Sequence, residues 1–132
     1  MKKLILLALI LMFVGCDDDT QTNDDTSSAS VIGEWERTYQ IGDMNDIASL
    51  SLDENKIATA TFSGETLSGT YSISNNIITV LDDECPGIEG NYNYSITATT
   101  LTFTLVDDEC GDDNGRADFI ANQSTASWTR VD

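Results

Sequence analysis

The chain has 132 residues, with 23 Asp and Glu against 6 Lys and Arg, and a formal net charge of −17. A surface this acidic repels the phosphate backbone, which excludes nucleic acid as a partner. The sequence contains no His, so it lacks the usual general base near neutral pH and the commonest metal ligand. The composition therefore favours a small, single-domain, non-catalytic protein.

The first sixteen residues have the pattern of a bacterial export signal. Lys2 and Lys3 precede an unbroken apolar run over residues 4–14, which is too short to span a bilayer and the right length for a secretory signal. The segment Phe-Val-Gly-Cys at residues 13–16 resembles a lipobox, with Phe13 in place of the usual Leu. The resemblance implies a lipoprotein signal peptide over residues 1–15 and acyl chains such as palmitate on Cys16. The alternative is a plain secretory signal followed by a chance Cys.

Residues 16–30 predict an acidic, disordered tether, because Ala29 is their only apolar side chain besides Cys16. Loss of the signal would remove two lysines and leave a charge of about −19. Acyl chains, and not a basic patch, would therefore hold the protein at its partner, the membrane. The three Asp at 17–19 resemble the export signal of surface lipoproteins in Bacteroidetes-type bacteria. They imply a lipid-anchored protein of the outer membrane or cell surface. The alternatives are retention at the inner membrane, which an Asp beside the lipidated Cys favours in enterobacteria-like systems, and a polar spacer without a localisation signal.

From residue 31 onward the hydrophobic pattern has a period of two, which is typical of strands with one buried face. Turn-forming residues separate the alternating segments at regular intervals. We predict an all-β domain over residues 31–132, an antiparallel up-and-down barrel or a sandwich with no helix of normal length. The pattern indicates eight to nine strands, near residues 33–41, 49–52, 57–63, 67–73, 77–81, 92–96, 101–105, 117–121 and 126–131.

One hairpin register follows from the positions of its apolar residues. If Ile96 faces Leu101, residue 94 faces 103 and residue 92 faces 105, so apolar side chains align on one face. Cys85 and Cys110 then become near neighbours at the open end of this hairpin. In an exported chain such a pair predicts a disulfide, which would remove about 3–4 kcal/mol of unfolded-state entropy. Two free thiols are the alternative.

The order of several short motifs resembles the lipocalin-like (calycin) domains of Bacteroidetes-type lipoproteins. The motifs are Gly33-Glu34-Trp35, Cys85, Gly90-Asn91-Tyr92, Leu101-Thr102-Phe103, Cys110, Arg116 and the closing strand with Arg130. The resemblance implies a small barrel whose floor is plugged by Trp35, after Gly33. An Arg would lie across the indole ring, with Arg130 the first candidate and Arg116 the second; such a cation–π contact contributes about 0.5–2 kcal/mol.

Two groups of side chains are candidates for a binding site. Five aromatic residues either line the mouth of a small apolar pocket or form plain core: Phe62, Tyr71, Tyr92, Tyr94 and Phe103. The repeated Asp-Asp-Glu-Cys motif would bring six carboxylates together if the Cys residues are bonded, and Ca²⁺ prefers six to eight oxygens; solvated loop tips are the alternative. These acids are Asp82, Asp83, Glu84, Asp107, Asp108 and Glu109.

The sequence thus favours non-catalytic binding of a small ligand, apolar or saccharide-like. The alternative function is an accessory module that presents acidic loops to a partner protein or to a cation. Catalysis would need a glycosidase-like carboxylate pair, but carboxylates are too abundant here for any pair to stand out. The sequence contains neither a phosphate-binding Gly-rich loop nor a nucleophile elbow.

Overall fold

A computed structural model of the chain describes residues 29–111 and 115–132. The predicted signal peptide, the predicted lipidation site Cys16 and the tether up to residue 28 lie outside this part. Among the described residues, no helix is long and apolar enough to cross a membrane.

The domain is a closed antiparallel barrel of eight strands in sequence order, with one short helix. Each strand pairs with the next along the chain, and β8 closes the barrel on β1 through Trp35↔Arg130. The predicted all-β barrel is therefore confirmed. The elements are β1 Gly33–Ile41, β2 Met44–Leu52, β3 Ile57–Phe62, β4 Glu65–Ser74, β5 Ile77–Asp82, β6 Gly90–Ile96, β7 Thr100–Asp108, α1 Arg116–Ala121 and β8 Thr125–Arg130.

Strict alternation places the apolar side chains inside the barrel and mostly Ser, Thr and Asn outside. Directly opposed residues on paired strands point to the same face, so Trp35, its partner Leu50 and the next partner Ala60 all face inward. The largest fully buried side chains are Trp35, Trp128, Tyr92, Phe103, Leu52, Ile78 and Leu101.

The two ends of the barrel differ in their connections. We call the floor the end with the short turns 53–56, 75–76 and 97–99, and the mouth the end with the turns 42–43 and 63–64. The mouth also holds the two long connections, residues 83–89 and 109–124, and the second of these contains α1. The mouth therefore has more chain with which to build a site.

The predicted β6–β7 register is confirmed, since Ile96 pairs with Leu101, Tyr94 with Phe103 and Tyr92 with Leu105. Towards the mouth the register shifts by one residue between Asn91 and Tyr92. This bulge brings Gly90 opposite Asp108, and it turns the Asp108 side chain toward the barrel interior.

The predicted strand at residues 117–121 is wrong, because these residues belong to α1. A five-residue segment is too short to distinguish a period of 3.6 from a period of two. The helix ends at Asn122, which adopts the left-handed conformation with φ 47°, a common way to terminate a helix. The described part of the chain consequently has eight strands, the lower of the two numbers expected.

Candidate functional site

Helix α1 packs across part of the mouth through one aromatic side chain. The Phe119 ring lies 5.9 Å from the Tyr39 ring, 6.3 Å from the Phe62 ring and 5.5 Å from the Trp128 ring, measured between centroids. Trp128 Nε1 also donates a hydrogen bond to the Ile120 carbonyl, at 3.0 Å. These contacts join the helix to the aromatic side chains inside the barrel.

Arg37 holds the C-terminal end of α1 from inside the barrel. Its guanidinium donates from Nη2 to the Asp118 carbonyl at 2.8 Å and from Nε to the Phe119 carbonyl at 3.1 Å. Carbonyls in the last turn of a helix lack partners within the helix and carry partial negative charge. Burial lowers the pKa of Arg37, although Tyr39 and Asp118 act in the opposite direction.

Tyr39 and Asp118 form a second link between β1 and α1. The Tyr39 hydroxyl donates to Asp118 Oδ2 at 2.5 Å. Burial and this hydrogen bond raise the pKa of Tyr39 to about 12, so the phenol stays protonated at neutral pH and keeps donating. The short helix is thus held by the ring contacts of Phe119, by the hydrogen bonds from Arg37 to its carbonyls and by the hydrogen bond from Tyr39 to Asp118.

The predicted disulfide is confirmed. Cys85 and Cys110 are bonded, with their Cα atoms 5.6 Å apart and a sequence separation of 25. The bond links the 83–89 connection to the end of β7, so it fixes one side of the mouth. Metal binding by these two sulfurs is ruled out while they are bonded, although they lie close to Asp82.

A buried arginine lies between two carboxylates beside the disulfide. Arg116 donates from Nη1 to Asp82 Oδ2 at 3.0 Å and from Nε to Asp108 Oδ2 at 2.7 Å. It also donates from Nη2 to the Ile88 carbonyl at 2.8 Å, and the Tyr92 hydroxyl donates to Asp108. A side chain at Gly90 would collide with the Asp108 carboxylate and Arg116 Nε, so this packing requires glycine there.

The pKa shifts of this cluster follow from its contacts. Burial alone would raise the pKa of Asp108, but hydrogen bonds from Arg116, Tyr92 and the Cys110 N–H outweigh it and lower the pKa. Burial would lower the pKa of Arg116, and the two carboxylates raise it instead. Burial and the hydrogen bond to Asp108 raise the pKa of Tyr92. At neutral pH Asp108 is therefore ionised while Arg116 and Tyr92 keep their protons, and the three form a charged hydrogen-bonded network.

Two of the six acids predicted to bind Ca²⁺ are thus already paired with Arg116, whose guanidinium lies between them. The remaining four, Asp83, Glu84, Asp107 and Glu109, are exposed. Asp112 and Asp113, which follow the second motif, lie outside the described residues. Calcium binding by these loops stays a prediction.

Arg116 is not at the floor, so its assignment as the second candidate for the floor arginine is wrong. It begins α1 at the opposite end of the barrel. At the floor, the Arg130 guanidinium lies 4.2 Å from the centre of the Trp35 ring, as expected for the first candidate. A Cβ at Gly33, whose φ is 144°, would meet Arg130 Nη1 at 2.5 Å, so glycine leaves room for this contact.

A half-open cavity of about 570 Å³ lies at the mouth. Its inner wall includes Leu67, which pairs with the inward-facing Ala60 and is nevertheless 46 % exposed. No strand or helix of the described part covers this leucine, so an apolar side chain of the inner face meets the cavity. The lining consists of Tyr39, Ala60, Phe62, Glu65, Leu67, Asp82, Glu84, Cys85, Cys110, Gly111, Gly115, Arg116 and Phe119.

The five aromatic candidates do not come together in this cavity. Phe62 lines it, whereas Phe103 is buried core and Tyr92 is buried with its hydroxyl on Asp108. Tyr71 is also buried, and its hydroxyl donates to the Asp53 carbonyl near the floor, at 2.6 Å. Tyr94 borders a second, more open recess of about 570 Å³ at the floor.

Sequence reasoning missed the residues that define the mouth cavity most clearly. Phe119 was assigned to a strand, and Tyr39 and Leu67 were assigned to strands without a role at a site. An inward-facing Leu67 could be read from the alternation, but its exposure depends on where α1 lies. The position of a six-residue helix is not visible in the sequence pattern.

No protein-family model, no curated protein and no solved structure matches this chain. The class of protein rests on the fold alone: a small closed antiparallel β-barrel with one disulfide.

Proposed function

We propose that this protein is a lipid-anchored, lipocalin-like barrel of the cell envelope that binds a small, largely apolar ligand without chemical conversion. The observation that carries the proposal is the mouth cavity, in which Leu67, Phe62 and Phe119 present apolar surface to a half-enclosed space of about 570 Å³. Ligand sites are typically concave, mostly apolar and about 300–1,000 Å³ in volume.

The rigidity of the rim supports a pre-formed site. The Cys85–Cys110 bond joins the 83–89 connection to the end of β7, the Arg116 ion pairs hold the start of α1, and Arg37 holds its end. A site that is already ordered loses little conformational entropy when a ligand binds.

Binding is tested with the neutral probe N-phenylnaphthylamine, whose fluorescence rises in apolar surroundings. Leu67→Trp places a large ring in the cavity and is expected to weaken probe binding by about tenfold, or about 1.4 kcal/mol. Ile47→Trp is the matched control, since Ile47 is an exposed apolar residue (58 %) whose partner Thr38 lies on the outer face of β1.

Equal loss of binding in both variants, or probe binding unchanged by Leu67→Trp, would contradict the proposed site. Leu67 is half-exposed, so this substitution does not overpack a closed core. Thermal unfolding of both variants checks that the barrel is intact.

The proposal of a membrane anchor depends on residues 13–16 and is tested separately. In the native host, Cys16→Ala is expected to move the protein from the membrane fraction to the soluble fraction, because the acylated thiol is gone. Phe13→Leu supplies the usual lipobox residue and should leave the anchored fraction unchanged. Acylation that persists in Cys16→Ala, measured by incorporation of labelled palmitate, would disprove the lipobox.

A further inference from the structure

The basic side chains of the domain are all engaged by other groups. Lys56 lies 5.3 Å from the centre of the Tyr71 ring, and Arg130 lies over the Trp35 ring. Arg37 lies 4.9 Å from the Tyr39 ring and caps α1. The fourth, Arg116, is paired with two carboxylates. Lys56 is exposed but lies in a floor turn, so within the described residues no positive charge at the mouth is free to receive an anionic ligand.

The mouth cavity, in contrast, has carboxylates at its rim that are not engaged by a basic side chain of the described residues. Its lining holds three carboxylates and one guanidinium, and the guanidinium is already balanced by Asp82 and Asp108. Glu65 and Glu84 are exposed at the rim, and neither makes an ion pair with a described basic residue. Glu65 pairs with Phe62 across the β3–β4 hairpin, so its side chain extends from a position next to an aromatic residue of the cavity.

Three aromatic rings form one wall of the cavity. The Tyr39 and Phe62 centroids are 4.5 Å apart, and the Phe119 ring lies within 6.3 Å of both. Faces of aromatic rings attract cations, most strongly where water is excluded. No described Lys or Arg lies over the Phe62 or Phe119 ring, so their faces are not occupied by a cation of the chain itself.

We infer that the mouth cavity selects organic cations, namely ligands that join an apolar group to an ammonium group. The apolar group contacts Leu67 and the aromatic wall, while the ammonium group lies near Glu65 and Glu84 at the rim. An anionic head group would instead meet these two unpaired carboxylates. This inference rests on the proposed function, because it assigns the ligand class of the same cavity.

The test compares three ligands with the same eight-carbon tail and different head groups. Octyltrimethylammonium is cationic, 1-octanol is neutral and octanoate is anionic, and their affinities for the purified chain are measured by displacement of N-phenylnaphthylamine. Octyltrimethylammonium is expected to bind about tenfold more tightly than octanol, and octanoate more weakly than octanol. Added salt should reduce the difference, because it screens the exposed carboxylates.

A charge-matched pair of variants locates the effect. Glu65→Gln with Glu84→Gln is expected to reduce the preference for the cation over octanol to about threefold or less, which leaves mainly the aromatic contribution. Glu36→Gln with Glu54→Gln changes the net charge equally, but these residues are exposed on the outer wall and in a floor turn. This control should keep the full preference.

The outcomes separate the inference from the proposed function. Equal binding of the three ligands, or a preference that survives Glu65→Gln with Glu84→Gln, would overturn cation selectivity and leave the apolar site standing. If the control Glu36→Gln with Glu54→Gln lost the preference equally, the preference would arise from net charge, and the inference would also be overturned. Absence of binding by the probe and by all three ligands would overturn both.

Discussion

At the floor of the barrel Arg130 lies over the Trp35 ring, whereas at the mouth Arg116 lies between Asp82 and Asp108. Arg130 donates to the backbone carbonyls of Ser30, Ile32 and Ala98, at 2.7 to 3.1 Å. Its partners are neutral, and its charge stays partly in water. Arg116 is buried and satisfied mainly by opposite charge.

The two arginines differ in the space beside them: the floor recess of about 570 Å³ is lined by neither Trp35 nor Arg130, whereas Arg116 lines the mouth cavity. A buried indole fills the floor, and the arginine above it seals the end. The ion cluster at the mouth fixes the rim from one side and leaves the cavity next to it open. An aromatic plug is therefore suited to closing an end of the barrel, and a buried ion network is suited to shaping an opening.

The largest expected effect is at the floor. Trp35→Ala removes a fully buried side chain and should lower the free energy of unfolding by about 4 kcal/mol, as for other large aromatic truncations. Chemical denaturation of wild type and variant measures the difference. Ile47→Ala, on the outer wall, is the control and should change stability by less than about 0.5 kcal/mol. Unchanged stability of Trp35→Ala would disprove the plug.

The two arginines should differ in the same measurement. Arg116→Met leaves Asp108, whose side chain is fully buried, without its charged partner and should cost about 3 kcal/mol. Arg130→Met removes the cation–π contact and hydrogen bonds at a partly exposed site, and should cost about 1 kcal/mol. Equal losses in the two variants would contradict the contrast between the two ends.

Most of the floor could be predicted from the sequence, because it depends on strands that alternate clearly. The register of Ile96 with Leu101 follows from two aligned apolar stripes. The contact between Trp35 and Arg130 was implied by the order of motifs at the two ends of the chain. The register depends on strand pairing, which a period of two reveals directly, whereas the Trp35–Arg130 contact was implied by the resemblance and not by the alternation.

The mouth could be predicted only in part, because it depends on α1. The convergence of Asp82 and Asp108 followed from the Cys85–Cys110 pair, but the cation between them is supplied by the first residue of the helix. A segment of six residues is too short for its hydrophobic periodicity to predict a helix. Without the helix, neither the ion cluster nor the exposure of Leu67 can be derived.

The smallest expected effect is the response of the mouth to acid. Because the folded-state pKa of Asp108 lies below its ordinary value of 3.8, its ionised form stabilises the fold. This contribution is complete above the unfolded-state pKa and is lost as the pH falls through the lower folded-state pKa. We expect the unfolding free energy of wild type to decline below about pH 4, and that of Arg116→Met to decline less steeply.

Arg130→Met is the control, because it keeps the Arg116 cluster intact, and its unfolding free energy should decline in parallel with that of wild type. If the unfolding free energy of Arg116→Met also declined in parallel, the lowered pKa of Asp108 would not depend on Arg116. Urea denaturation at a series of pH values between neutral and acid measures all three.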